Sequence, residues 1–575
     1  MNASAWLPEW LRRYRREWLG GDLSAGLIVS VMLIPQSLAY ALLAGLPPQT
    51  GLYASVLPLL AYALFGSSMT LAVGPVAVVS LMTAAAVAPL AAAGSADYVS
   101  LAVLLALLSG AMLFAAGLLR LGFLAYFLSR PVINGFIAGS AILITLGQLK
   151  YLLGISLPNG TAIAIARALP AALRQTNTTT ATIGVLSLLY LVFARTALPR
   201  VLRAIRIPQK LVFLKTRLAM MTVVVIATVY GALNDIDNRA GVAVVGVVPS
   251  GLPALQLPVI EWQQAWALCL PALLIPLVGF VESMSVAQSL ALKRGERIDP
   301  DRELLGTGAA NLASALSGGF PVTGGFARSI VNFDAGARTP AAGLISAIVM
   351  AIVIAGLTGW FHYLPLTVLA ATIIVAVLAL VDLKAFSNAW RYDKADAISM
   401  LLTFAGVLLL GVEQGILMGV VLSLAALVWR SSHPHMAVVG RVPGTEHFRN
   451  IDRHQVQILP GLIALRVDES LYFANAQLLE DRIESLIREQ ANTRYVLLIM
   501  SAVNQLDTTA LEMLTGLDKS LAERGIVLQF AEIKGPVLDR LRTTPLGRRM
   551  QDRIFLSTHQ AFVAFDARQR ANLPA

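Results

Sequence analysis

Residues 318–340 read GGFPVTGGFARSIVNFDAGARTP, and the fold turns on how this stretch is read. Four glycines precede Phe326, and Arg328 follows two positions later. Glycine releases the backbone from regular helix. Apolar segments flank the stretch on both sides. An arginine at bilayer depth costs roughly 2.5–3.5 kcal/mol on insertion scales, so it faces a cavity or a partner. Irregular backbone at that depth persists only where protein or water satisfies its polar groups. A broken span carrying a cation is therefore a candidate anion site.

The surrounding composition supports membrane depth. The 575-residue chain is 57% hydrophobic and 13% charged, with mean hydropathy +0.71. These values belong to a polytopic membrane protein. Cys269 is the one cysteine, so there is no disulfide framework and no Cys/His metal spacing; no metal or cofactor is expected. The net charge of +11 reads as loop charge rather than as a nucleic-acid surface. No cleavable signal peptide is evident. Residues 1–20 form a basic amphipathic segment, with Trp6, Leu7, Trp10 and Leu11 beside Arg12, Arg13, Arg15 and Arg16, suited to the bilayer surface.

Apolar segments fall at 22–43, 50–65, 69–92, 99–118, 122–147, 179–196, 211–232, 264–290, 304–318, 322–337, 341–359, 364–381, 396–411 and 413–430, fourteen in all. With the N-terminus inside, loops after even-numbered spans are the basic ones; the exception is the long loop 148–178, with Lys150, Arg167 and Arg174. The sixth is followed by Arg200, Arg203, Arg206, Lys210 and Lys215, the eighth by Lys293, Arg294, Arg297 and Arg302, and the twelfth by Lys384, Arg391 and Lys394. Residues 86–98 and 357–365 carry no Lys or Arg. This bias predicts fourteen spans with both termini cytoplasmic. The transport region is then 21–432. From about 440 to 575, strand-like runs (461–473, 495–501, 526–531) alternate with helical ones (476–489, 508–524, 536–543, 558–567), predicting a small cytoplasmic α/β domain.

Two halves, about 21–232 and 264–430, share an order of interruptions. Pro48 precedes Gly66 by 18 residues, and Pro300 precedes Gly318 by 18. Gly74-Pro75 then breaks the third span as Gly325-Phe326 breaks the tenth. Seven spans per half is odd, so the halves are inverted, and the third and tenth spans enter from opposite sides. Their broken ends would meet near the midplane. Each would present a helix N-terminus with roughly half a positive charge and free N–H groups.

Candidate residues follow from this. Arg328 and the backbone N–H groups of Phe326, Ala327 and Arg328 would face an oxyanion, with Ser329 as a further donor. The plain alternatives are an arginine paired to a carboxylate and a helix-packing serine. Gly74, Pro75 and Val76 mark the opposing half-helix, or an ordinary kink. Gln36 and Tyr40, four apart, share one face of the first span and line the cavity or bond another helix. Glu282 is the lone carboxylate of the eighth span. A carboxyl in so dry a place can take up and release a proton near neutral pH, which suits proton coupling; a permanent ion pair with Arg328 is the alternative.

The segments IPQSLAYALLAGLPPQTGLYAS (34–55), GPVAVVSLM (74–82) and FVESMSVAQSLALKRGERIDPDRELLGTGAANLASALSGGFPVTGGFARSIVNFDAGARTP (280–340) resemble the SulP anion transporters, the sulfate permease family, and 440–575 resembles a STAS domain. The resemblance implies an α-helical fold of fourteen spans in a seven-plus-seven inverted repeat, shared with nucleobase permeases. It implies core and gate domains, a homodimer, and a substrate held between the third and tenth spans by Gln36, Tyr40, Pro75, Val76, Phe326, Ala327, Arg328 and Ser329, to which the breaks themselves add Gly74 and Gly325. Some relatives carry serine at the position of Ala327. Val286 stands where bicarbonate-type members place a hydroxyl for sodium. VESMSVA followed by KRGERIDP is most like the bacterial sulfate-permease branch, which implies the inner membrane.

Asp507, Thr508 and Thr509 occupy the loop-to-helix position where related STAS domains carry a phosphorylatable Ser or Thr, and an unidentified cytoplasmic protein is a partner implied there. Asp507 is equally a helix N-cap. The function so implied is proton-coupled uptake of sulfate by an elevator-like motion. A bicarbonate or dicarboxylate carrier and an uncoupled anion channel or exchanger are the alternatives. No nucleophile–base pair or phosphate loop suggests an enzyme.

Overall fold

The first span tolerates its own interruption. Leu19–Leu43 is one helix although Pro35 lies inside it; membrane helices tolerate such a proline where the freed backbone group is met by protein or water. It ends where Gly45 takes a left-handed φ of 76°. There the Tyr98 hydroxyl donates to the Ala44 carbonyl at 2.8 Å. The computed structural model describes residues 8–123, 129–158, 160–205, 209–256, 258 and 260–571; Trp6, Leu7 and Arg206, named above, lie outside the described residues.

The chain forms two compact units, Met1–Leu424 and Ala425–Ala575. Every one of the fourteen apolar segments carries helix, and the last helix, Val412–Ser432, contains the boundary between the units. Seven helices among the described residues are long and apolar enough to cross a membrane by themselves. The second span is broken as well, into Pro48–Tyr53 and Leu57–Phe65. The sequence reading ran it as one segment; Pro58, at the start of the second piece, has no N–H to continue the ladder.

The third and tenth spans are not rods. Each enters as a two-residue strand, Val73–Gly74 and Thr323–Gly324, and continues as a helix, Ala77–Val87 and Phe326–Asp334. The strands pair antiparallel, Val73 with Gly324 and Gly74 with Thr323.

Small residues let neighbouring helices close on these arms. Helix Pro300–Leu316 packs against Ala96–Leu118. There a Cβ added at Gly110 would stand 2.6 Å from the Leu312 nitrogen, and one at Gly308 2.6 Å from that of Phe114. Two buried carboxylates, which the sequence reading passed over, tie distant turns together. Asp22 accepts from the backbone N–H of Arg338 (2.6 Å) and Thr339 (3.0 Å) and from the Thr339 hydroxyl (2.7 Å). Glu303 accepts from the N–H of Ser67 and Ser68 (both 2.8 Å), the Ser67 hydroxyl (2.7 Å) and the Tyr62 hydroxyl (2.9 Å).

The connections hold further helices that hydropathy alone did not show: Ala162–Ala172 after the fifth span, Leu198–Ala204 after the sixth, and Leu383–Tyr392 after the twelfth.

In the second unit, six strands lie in the order Phe448–Asn450, Met436–Arg441, Leu462–Val467, Tyr495–Ile499, Val527–Ala531, Ile554–Phe555. The first two join antiparallel and the last four run parallel. Parallel central strands must be covered on both faces. Val496 and Leu498 pack with Leu479 and Leu514 on one side, Leu497 and Ile499 with Phe562 and Phe565 on the other. The first two strands, Met436–Arg441 and Phe448–Asn450, precede the run read as strand from the sequence.

Candidate functional site

The paired arms fix where two helices begin. Val76 and Gly325 are extended N-cap residues, so the N–H groups of Ala77, Val78 and Val79, and of Phe326, Ala327 and Arg328, precede the first intrahelical bond at each start. Polar side chains behind the arms hold them in place. Gly325 N–H donates to the Ala72 carbonyl (3.0 Å). Gly324 N–H donates to Ser283 Oγ (2.8 Å), and Thr323 Oγ1 donates to the Gly279 carbonyl (2.7 Å). Asn311 brackets Val322, donating to its carbonyl and accepting from its N–H, each at 2.9 Å. Unpaired backbone groups in a membrane core cost several kcal/mol each, so these side chains are what permits the break.

Arg328 bridges the two arms. It is 2% exposed, and its Nη1 donates to the Pro75 carbonyl at 2.6 Å. Its Nε and Nη2 have no hydrogen-bond partner. Both glycines make room for it. A Cβ at Gly325 would lie 2.9 Å from Nη2 and 3.0 Å from Nε; one at Gly74, whose φ is +150°, would lie 3.3 Å from Nη2.

A cavity of about 40 Å³ opens at this point, with room for a few water-sized groups. Gln36, Tyr40, Val76, Glu282, Gly325, Phe326, Ala327 and Arg328 line it, so most of the residues singled out in the sequence come together. Glu282 Oε2 is buried and also without a hydrogen-bond partner, so it makes no bond to the Nε–Nη2 edge of Arg328. Phe326, one of these lining residues, is 44% exposed.

Three of the named residues do not line it. Gly74 and Pro75 sit behind, in the strand and at the Arg328 contact. Ser329 is fully buried; its Oγ donates to the Gly325 carbonyl (2.7 Å) and accepts from Ala72 N–H (3.0 Å). Its hydroxyl proton is turned to the scaffold, as the helix-packing alternative describes. Conversely, the far wall is Ala376, Val377 and Leu380 from the end of the twelfth span. No polar signal marks those residues, so the sequence reading missed them. Among the described residues no cluster of three or more His, Cys, Asp or Glu could hold a metal.

In the second unit Asp507 caps helix Thr508–Glu523 and is fully engaged. Oδ1 accepts from Ala510 N–H and Oδ2 from Phe473 N–H, both at 2.8 Å. Thr508 and Thr509 are exposed beside it.

The profile of the sulfate permease family matches residues 19–403, and that of the STAS domain residues 453–561. A Mycobacterium tuberculosis protein named "Probable sulfate transporter" is 35% identical over 573 residues, 99% of each chain. The Arabidopsis thaliana "Sulfate transporter 4.1, chloroplastic" is 37% identical over 533 residues, covering 90% of this chain and 76% of its own. Among solved structures, the murine solute carrier 26 family member A9 anion transporter in the inward-facing state matches with a TM-score of 0.88 at 23% identity, over 98% of this chain and 94% of that one. That likeness is one of fold. The transmembrane domain of a cyanobacterial bicarbonate transporter matches with a TM-score of 0.59 at 25% identity, over 71% of this chain and 98% of that one.

Proposed function

Because the chain belongs to the sulfate permease family, with a STAS domain following its membrane region, we propose that it is an anion transporter that takes up sulfate together with a proton. One observation carries this reading: the Nε–Nη2 edge of Arg328 is buried beside the cavity and unpartnered. That edge is a planar pair of donors matched to two oxygens of one oxyanion. Two helix starts add roughly half a positive charge each. A multiply charged oxyanion gains more from this arrangement than a halide, which offers no second oxygen.

Glu282 supplies the coupling. It faces the same cavity, and a proton on it offsets part of the anion's charge. Each charge carried against a negative-inside potential costs about 2.3 kcal/mol per 100 mV. The elevator reading draws on the contrast between the cavity's two walls. On one side the arms, Arg328 and the Asp22 and Glu303 ties join the first, third, ninth and tenth spans into one body. On the other, Ala376, Val377 and Leu380 offer only apolar surface, over which that body can slide. The Lys/Arg distribution supports cytoplasmic termini in an inner membrane.

The test is radiolabelled sulfate uptake into proteoliposomes with and without an inward proton gradient. Accumulation driven by the gradient and competed by other tetrahedral oxyanions is expected. Uptake indifferent to the gradient would refute the coupling, and equal competition by chloride would refute the two-oxygen site.

A further inference from the structure

We propose that helix Leu383–Tyr392, which joins the twelfth and thirteenth spans, is a docking surface for anionic phospholipid headgroups. The helix is held at both ends. Asp382 Oδ1 accepts from the N–H of Lys384 (2.9 Å) and Ala385 (3.2 Å), and Asp393 begins the next helix by accepting from Ala395 N–H (2.8 Å). Both carboxylates accept from backbone N–H groups at the helix ends, and Asp396, in the first turn of the following helix, stands beside Lys394.

Three faces run along it at helical spacing. Ala385, Phe386 and Ala389 are half-buried against the protein, with the Phe386 ring edge-on to Phe404 at 6.0 Å. Leu383 and Trp390, seven apart, are 76% and 58% exposed. Lys384 and Arg391, also seven apart and exposed, form the next face round. Protein, apolar surface and cation thus follow one another around a single short helix. That order fits a segment lying in a membrane interface: the leucine and tryptophan enter the acyl boundary while the cations reach phosphates.

Charge placement for topology alone asks for cations near a span end, but not for an exposed Leu–Trp stripe beside them. The connection after the fifth span, its counterpart in the inverted repeat, makes the contrast. Helix Ala162–Ala172 (AIAIARALPAA) has Arg167 as its one cation and no aromatic residue. The twelfth span, whose end walls the cavity, runs directly into Leu383–Tyr392, so a lipid-held helix would steady that wall.

The experiment uses the full chain in neutral detergent, with Cys269→Ala and Ser387→Cys carrying an environment-sensitive fluorophore between the apolar and cationic faces. Titration with phosphatidylglycerol should shift the emission to the blue. Lys384→Gln and Arg391→Gln, singly and together, should raise the half-maximal concentration about fivefold per charge removed, the ~1 kcal/mol a cation gains near an anionic surface. Arg167→Gln should leave it unchanged. An unchanged midpoint in the double variant overturns the proposal. So does an equal response to phosphatidylcholine, or to inorganic phosphate, which would mark a soluble-anion site. If the double variant misfolds, the single variants decide. The readout is lipid binding, so it stands apart from whether sulfate is the cargo.

Discussion

The arms at Val73–Val87 and Thr323–Asp334 have one geometry and two chemistries. Both are a short strand followed by a helix, and both place a serine at the fourth helical position, Ser80 and Ser329. The first arm is otherwise nearly all apolar. The second carries Arg328, Ser329 and Asn332, and each reaches across to the first, at Pro75, Ala72 and Thr70. Ser80 Oγ, by contrast, is buried without a partner. The inverted repeat supplies two equivalent helix starts, but one half alone supplies the cation and the ties. Symmetry builds the pocket; asymmetry loads it.

The largest effect should come from breaking that asymmetry at its centre. Arg328→Ala removes two charge-assisted donors worth about 1.5–3 kcal/mol each, so kcat/KM for sulfate should fall at least about 10²-fold. Arg328→Lys should recover only a small part, because a point charge lacks the planar edge; full recovery would reduce the site to charge alone. Next, Glu282→Gln should keep sulfate exchange but lose gradient-driven accumulation, since glutamine mimics the protonated carboxyl and cannot cycle. Persisting accumulation would move the coupling elsewhere.

Gly325→Ala places a methyl 2.9 Å from Nη2 and 3.0 Å from Nε. Apparent sulfate affinity should drop roughly tenfold, one lost interaction of about 1.4 kcal/mol, in a chain of unchanged melting temperature. The smallest pair sharpens the comparison of the serines. Ser329→Ala leaves Ala72 N–H without its acceptor and should cost about 1–3 kcal/mol in thermal denaturation, whereas Ser80→Ala, which breaks no bond, should stay within about 0.5 kcal/mol. Equal losses would mean that the two arms are braced alike.

Much of this was readable before any coordinates. Glycines at membrane depth, one followed by proline and one in a pair, announced the breaks, and a lone arginine or glutamate in an apolar run announced the cavity, because each charge is too costly there to lack a reason. Ser329 stayed open between two readings because a hydroxyl beside an arginine looks the same whether it turns to the cavity or to the Gly325 carbonyl. Ala376, Val377 and Leu380 were invisible because an apolar wall resembles any other apolar stretch. Asp22 and Glu303 were overlooked at span ends, where acids ordinarily face water. The helix Leu383–Tyr392 was hidden because its apolar residues are too few to raise a hydropathy average.

The Asp22 tie also constrains biogenesis. Its partners Arg338 and Thr339 lie 316 and 317 residues downstream. At about 5–20 residues per second, the ribosome delivers them on the order of 15–60 s after Asp22 itself. During that delay an acid at the head of the first inserted helix must stay hydrated at the membrane surface. A nascent chain halted before residue 338 would therefore leave this carboxylate with the Tyr14 hydroxyl but without its downstream partners, in a form that membrane quality control could distinguish from the finished protein.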